Sequence, residues 1–222
     1  MEIKFTQNDI IIFDLDDTLY KEIDFVYSAF YEIASLIDNN DPKRVYHRML
    51  KDYYDKKDVF SILSERPSSV IAKSKLIQIY RNHYPKINLS EGAGSLINNL
   101  YKREIKMAIL TDGRSVTQRN KIQALSLEGK MDDVLISEEF GSEKPSERNY
   151  KYFEEKYPSH RKVIIGDNFN KDFVIPNHLG WITIGVIDDG RNIHEQNYSV
   201  EDGYLPSKYI DGYRNMKIIY DD

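Results

Sequence analysis

Cysteine is missing from all 222 residues of this chain. That excludes a disulfide framework, a thiolate zinc site and a cysteine nucleophile, and it leaves the redox state of the compartment unconstrained. Long apolar runs are missing too. No stretch approaches the roughly 18 residues of a membrane span, and the charged start Met1-Glu2-Ile3-Lys4 has no signal-peptide apolar region. The expectation is a cytoplasmic protein without a membrane partner. An excess of basic charge is also lacking: 31 Lys and Arg against 36 Asp and Glu give a net charge of −5. A nucleic-acid polymer is attracted by a net basic face, so none is expected as a partner. A local basic pocket for one small phosphate remains compatible with this balance. There is no internal repeat, no low-complexity tract and no linker rich in proline or glycine. The length suits one sizeable core with an inserted subdomain, and a monomer or homodimer is the expectation.

What is present is an alternation of short β-branched runs with longer segments of helical period. Ile10-Ile11-Ile12-Phe13, Met107-Ala108-Ile109-Leu110, Val134-Leu135-Ile136, Val163-Ile164-Ile165 and Trp181-Ile182-Thr183-Ile184 read as strands buried on both faces. Such strands mark a parallel sheet, and the intervening segments supply its crossover helices. The expected fold class is α/β, a Rossmann-like three-layer core with a parallel sheet. From about residue 20 to 88 the rhythm breaks. Phe25, Val26, Ala29, Phe30, Ile33, Ala34 and Ile37 recur near every 3.6 residues, which predicts an amphipathic helix. A second helix is predicted after Asp41-Pro42, and a third from about Ser68 to Tyr84, ahead of Pro85. The expectation is a core of residues 1–19 and 89–222 with an all-helical insertion over 20–88.

Polar signals sit where strands end. Asp14 closes the first strand and opens Asp14-Leu15-Asp16-Asp17-Thr18; Thr111-Asp112-Gly113 closes the next; Gly166-Asp167 closes Val163-Ile164-Ile165, with Asp172 shortly after. In open parallel sheets, ligands bind outside the carboxyl ends of the strands. Lys144-Pro145-Ser146 precedes a segment carrying Tyr150, Phe153 and Tyr157 on one face, so Lys144 sits at a helix start. Ser115-Val116-Thr117-Gln118 fits a capping box, which would begin a helix just after Gly113 and aim backbone N–H groups at an anion. Gly92-Ala93-Gly94 follows no strand and lacks a third glycine, so it is not read as a dinucleotide loop. The five histidines show no metal-ligand spacing and are assigned to packing or surface.

In this order the four motifs Asp14-Leu15-Asp16-Asp17-Thr18, Thr111-Asp112-Gly113, Lys144-Pro145 and Gly166-Asp167-Asn168-Phe169-Asn170-Lys171-Asp172 resemble those of the haloacid dehalogenase (HAD) superfamily of aspartate-nucleophile phosphatases. The insertion after the first motif is similar to the helical C1 cap of some members. The resemblance implies a Mg²⁺-dependent phosphatase of a small phosphorylated metabolite, with Asp14 as nucleophile and Asp16 as general acid and then base. It implies phosphate contacts from Asp14, Thr111, Asp112, Gly113 and Lys144. The metal ligands would be Asp14, Asp167, the Asp16 carbonyl and Asp172, the last directly or through water, because Mg²⁺ prefers hard oxygen donors. Asp16 favours phosphoester chemistry over dehalogenation, since a halide leaving group needs no proton. Many relatives carry Asn at the position of Asp112, whose carboxylate would repel phosphate unless turned away or paired with Arg114. The stretch Thr111-Asp112-Gly113 with Gln118, then Ile136-Ser137-Glu138-Glu139-Phe140-Gly141 leading to Lys144-Pro145, is similar to capped phosphatases of nucleoside monophosphates or N-acylneuraminate 9-phosphate.

Alternatives are a β-phosphoglucomutase-like phosphotransferase, which shares the core motifs, a phospho-receiver switch and a noncatalytic phosphate-binding module. Substrate choice is expected in the insertion and its approaches, with Tyr20, Lys21, Tyr27 and Arg66 as candidates.

Overall fold

The computed structural model describes residues 2–65, 71–215 and 217–220. Its main sheet has six strands in the order β4 (Asp133–Ile136), β3 (Lys106–Thr111), β2 (Asp9–Phe13), β5 (Arg161–Gly166), β6 (Ile182–Val186) and β7 (Lys208–Ile210). Every neighbouring pair is parallel, with Ile12 opposite Ala108 on one side and Ile164 on the other. All five residues of β2 are buried, as a strand covered on both faces requires. Alternation divides its side chains. Ile11 and Phe13 join Leu96, Ile97 and Leu100 in one apolar layer, while Ile10 and Ile12 join Tyr150, Phe153 and Ile164 in the other. Helices α5 (Ala93–Lys102) and α8 (Glu147–Lys156) therefore lie on opposite faces.

The stretch between β2 and α5 holds α1 (Glu22–Ile37), α2 (Pro42–Tyr54), α3 (Val59–Ser64) and α4 (Lys73–Asn82), with no strand among its described residues. Val26, Phe30, Ile33, Val45, Met49 and Leu76 form a core of their own there. The helix period of α1 is thus satisfied by burying one stripe against α2 and α4, each large side chain contributing roughly 1.5–3 kcal/mol. Asp41 caps α2 by accepting from Arg44 N at 3.2 Å, and Pro42 occupies the first turn as expected. Ser68, the expected start of the third helix, lies outside the described residues; α4 itself begins at Lys73.

Several elements were not anticipated. The short α3 is capped by Asp58, which accepts from Ser61 N at 3.0 Å. β1 (Glu2–Phe5) pairs in parallel with β8 (Lys217–Tyr220) in a separate two-stranded sheet. β7 spans three residues, too few to show a period. Gly92-Ala93-Gly94 opens α5. Gly92 has φ +84°, and a Cβ there would stand 2.6 Å from Arg214 N, so backbone packing explains this glycine.

Candidate active site

Three adjacent strands, β3, β2 and β5, end on the same edge of the sheet, and their ends bring the motif residues together. Asp14 follows β2 directly and donates its backbone N–H to Ile165 O at 2.9 Å, which locks it to the end of β5. From the loop before α8, Lys144 reaches in and donates from Nζ to Asp14 Oδ1 at 2.5 Å and to Asp172 Oδ1 at 2.6 Å. The Thr18 hydroxyl lies 3.1 Å from Asp14 Oδ2 and 3.2 Å from Asp167 Oδ1, so its single hydrogen is offered to either carboxylate. Asp14, Thr111, Lys144, Asp167 and Asp172 are all buried.

Local backbone geometry explains how the motifs converge. Asp17 adopts φ +55°, a left-handed turn that Asp tolerates. Its carboxylate secures that turn by accepting from Glu22 N at 2.9 Å and Ile193 N at 3.0 Å. At Gly166 a Cβ would stand 2.3 Å from Asp172 Oδ2, so glycine leaves the space that lets the Asp172 carboxylate tuck against the strand end. Asn168 N donates to the same carboxylate at 2.9 Å. Gly113 N donates to Ser137 Oγ at 2.9 Å, which ties the loop after β3 to α7 (Ser137–Phe140).

Charge is unevenly shared. The ligand-capable oxygens of Asp14, Asp167 and Asp172 lie within 4.8 Å of one another, and one buried ammonium, Lys144, pairs with two of them, Asp14 and Asp172. Burial pushes the Asp14 carboxyl up to about 7; Lys144 opposes the shift and Asp172 adds to it. Asp167 is raised well above the usual carboxylate range, by burial first and then by repulsion from Asp14, Asp172 and Asp17. Burial works against the Lys144 ammonium, yet Asp14 and Asp172 outweigh it and lift its pKa well above the ordinary value. A surplus of buried carboxylate oxygen around one cation is the donor set that suits a hard divalent ion.

The model of the haloacid dehalogenase-like hydrolase family matches residues 11–186, which include all four motifs. The chain belongs to the haloacid dehalogenase-like hydrolase family. Among curated relatives of this HAD chain is a glyceraldehyde 3-phosphate phosphatase of Methanocaldococcus jannaschii, 27% identical, the match covering 93% of this chain and 97% of the relative. A protein of the same name from Methanothermobacter thermautotrophicus is 23% identical over 94% and 98%. Among solved structures, the HAD-hydrolase YfnB of Bacillus subtilis, bound to magnesium, superposes with a TM-score of 0.61 at 23% identity, covering 93% of this chain and 95% of that one. That likeness bears on the fold: the six-stranded parallel sheet flanked by helices is HAD-like.

Within this HAD site, Asp16 stands apart from the Asp14 cluster. Its Oδ1 accepts from Lys121 Nζ at 2.7 Å and from the Tyr20 hydroxyl, and its Oδ2 accepts from Gln118 Nε2 at 2.9 Å. Gln118 Nε2 also donates to Thr111 Oγ1 at 2.6 Å, which joins Asp16 to the end of β3. Burial disfavours the Asp16 carboxylate, but Lys121 overrides it with help from Tyr20 and Gln118, and the pKa falls below the usual value.

Gln118 is therefore not part of a capping box. The N-cap of α6 (Ser115–Ala124) is Arg114 without a side-chain cap. Ser115, already inside the helix, donates its backbone N–H to Glu138 Oε2 at 2.7 Å. The helix does start where expected, but its exposed N–H is taken up by α7.

Asp112 turns its carboxylate to Lys144 N at 3.0 Å and to Lys171 Nζ at 3.0 Å; Arg114 instead pairs with Glu138 at 3.7 Å. The repulsion anticipated at Asp112 is answered by Lys171. Tyr20 is fully buried against Asp16, and Lys21 donates to Asn192 Oδ1 at 2.8 Å and pairs with Asp189 at 3.0 Å. Asn192 in turn donates to Asp167 Oδ2 at 3.1 Å. The Tyr27 hydroxyl bonds to that of Tyr54, and Arg66 lies outside the described residues. Lys121 and Asn192 carried no strand-end signal, and Lys171 stood inside the fourth motif without a role of its own. Lys121 was readable only as one more helix cation four residues before Leu125.

Proposed function

We propose that this HAD chain is a Mg²⁺-dependent phosphatase that hydrolyses a small phosphorylated metabolite through an aspartyl-phosphate on Asp14. The observation that carries this reading is the convergence of Asp14, Lys144, Asp167 and Asp172 in one buried cluster at the ends of adjacent parallel strands. Asp14 and Asp167 carboxylates, the Asp16 carbonyl and Asp172 would hold the ion. When bound, Mg²⁺ supplies positive charge that screens the repulsion between phosphate and the carboxylates.

An Asp14 oxygen attacks phosphorus and forms the new P–O bond. The P–O bond to the substrate breaks, and its electron pair leaves on the alkoxide, which takes a proton from the protonated form of Asp16, a form that the Lys121 pairing disfavours in the ligand-free chain. Water then attacks phosphorus and gives its proton to the Asp16 carboxylate. The P–O bond to Asp14 breaks, which frees inorganic phosphate and restores the nucleophile. Lys144 and the Thr111 hydroxyl balance charge on the transferring group. Lys144 is held by Asp112, through the Lys144 backbone N–H, as well as by its own ion pairs.

The relatives named for glyceraldehyde 3-phosphate support a short phosphorylated aldehyde or sugar as the first substrate class to test. In this reading residues 1–19 and 89–222 are the catalytic core, and the helices over 20–88 are a C1 cap that closes on the substrate. Asp16 favours a phosphoester over a carbon–halogen bond.

The test is phosphate release from glyceraldehyde 3-phosphate, nucleoside monophosphates, sugar phosphates and sialic-acid 9-phosphate, with Mg²⁺ and with EDTA. Selective release that needs Mg²⁺ and disappears in Asp14→Asn is the expected result. Transfer of the phosphoryl group to a sugar hydroxyl in place of water would mark a β-phosphoglucomutase-like phosphotransferase, and undiminished release by Asp14→Asn would defeat the proposal.

A further inference from the structure

Lys121 is the most deeply buried cation outside the Asp14 cluster among the described side chains that pair with the first motif, with 3% of its side chain exposed. It comes from the second turn of α6, and its Nζ lies 2.7 Å from Asp16, 3.8 Å from Glu22 and 4.5 Å from the centroid of the Phe25 ring. A lysine buried this far loses hydration that only good partners replace. Its partners are the second aspartate of the motif and a helix-start glutamate, with an aromatic face beneath. Tyr20 donates to the same Asp16 oxygen as Lys121, while Gln118, one turn before Lys121 on the same helix, takes the other oxygen and bridges to Thr111. Among the described residues the donors on the Asp16 carboxylate thus come from α6 and from Tyr20 in the turn after β2, and together they fix both oxygens and the plane of the group.

We infer that Lys121 is a positioning residue for Asp16, holding its carboxylate in the orientation that accepts the proton of the attacking water when the aspartyl-phosphate is hydrolysed. The inference rests on the phosphatase reading above. Lys121 acts through Asp16 and does not meet the phosphoryl group. Expulsion of an aryl leaving group needs no proton, so the first half-reaction with an aryl phosphate does not draw on this arrangement. Hydrolysis of the phosphoenzyme does, because the water must surrender its proton to Asp16.

The experiment is rapid mixing of the Mg²⁺-loaded full chain with p-nitrophenyl phosphate, with the burst of p-nitrophenol read separately from the steady rate. For Lys121→Gln the burst rate should stay within about twofold of the wild type while the steady rate falls by about 10–100-fold, within the range of general-base catalysis. Lys121→Arg, which keeps a cation able to sit over Phe25, should recover most of the steady rate. A purely structural role would lower burst and steady rates by the same factor, and that result, or unchanged rates, overturns the inference. If Lys121→Gln loses its cooperative melting transition, Tyr20→Phe decides in its place: it removes one donor from the same Asp16 oxygen without changing shape. A preserved burst with a slowed steady rate supports the clamp, and an unaltered steady rate overturns it. Absence of any wild-type turnover would bring down the phosphatase reading itself, whereas wild-type turnover whose steady rate is matched in full by the variants removes Lys121 alone.

Discussion

At the scale of single residues, the site depends on how closely Asp172 approaches the end of β5. A methyl group at Gly166 would stand 2.3 Å from Asp172 Oδ2 and 2.9 Å from its Cβ, and Asp172 is fully buried. Gly166→Ala is therefore expected to cost about 1–3 kcal/mol, the usual range for overpacking, seen as a lower denaturant midpoint with an unchanged slope. An unshifted midpoint would mean that the loop gives way freely. Asp14 supplies a second prediction. Its carboxyl is raised to about 7 in the metal-free chain, above the ordinary value of 3.8, so the folded state binds this proton more tightly than the unfolded state. The stability it contributes is present below about pH 4 and is lost as pH rises towards and through 7. Asp14→Asn removes the titration. Metal-free wild type should thus lose ground to the variant between pH 4 and 8 in parallel thermal melts, and Mg²⁺ should restore the wild type at the upper end. A difference independent of pH would contradict the charge surplus assigned to this cluster. These residues were legible because each ends a strand: Asp14, Thr111 and Asp167 stand directly at sheet edges that the β-branched runs reveal. The contacts of Gln118 and Lys121 with Asp16 were not, since Asp16 lies more than a hundred positions away and only the approach of α6 to the turn after β2 joins them.

Among the elements, the helices α1 to α4 keep an apolar core separate from the two layers that flank the sheet. Leu76 lies at its centre, fully buried on α4. Leu76→Ala is expected to destabilise by about 2–5 kcal/mol, and amide exchange should accelerate in α1, α2 and α4 before it does in β2 and β3. Equal acceleration throughout would show that the insertion and the sheet open as one unit. The sequence revealed α1 and α2 well, through a 3.6-residue period and a proline at a helix start. It revealed α3, β1, β7 and β8 poorly. The three residues of β7 show no period, and β1 pairs with β8 across more than two hundred positions, a pairing that local pattern does not encode. The capping box at Ser115 failed for a related reason. Glu138 and Glu139 of α7 take the Ser115 donors, and the side chain expected to cap is drawn into the site.

For the whole molecule, the two chain crossings between the helical insertion and the sheet lie side by side, with Ser90 N donating to Leu19 O at 2.8 Å. Around them α6 receives the end of α4: Thr117 donates to Arg81 O at 2.8 Å, and Asn120 donates to Asn82 O at 3.0 Å and His83 O at 3.1 Å. On the opposite flank Arg191 pairs with Asp24 at 2.6 Å, and Lys21 holds the loop that carries Asn192. If the insertion opens and closes about these crossings, Mg²⁺ with a phosphate-mimicking anion should slow amide exchange over residues 17–22 and 86–92. Exchange that ignores the ligands there would argue for a static insertion. The α/β class and the order of the motifs were readable from the sequence because buried parallel strands advertise themselves. The bracing between insertion and sheet was not, because it joins positions far apart in the sequence, such as Thr117 with Arg81 and Arg191 with Asp24, that meet only once both parts are folded.

The central claim is that Asp14 carries the phosphoryl group. The most direct test is an acid quench of the Mg²⁺-loaded chain during turnover of a phosphate ester, followed by peptide mass spectrometry. A phosphoryl adduct on the peptide containing Asp14, missing with EDTA and in Asp14→Asn, is the result predicted here; phosphate release with that peptide unmodified, or release persisting in Asp14→Asn, would contradict it.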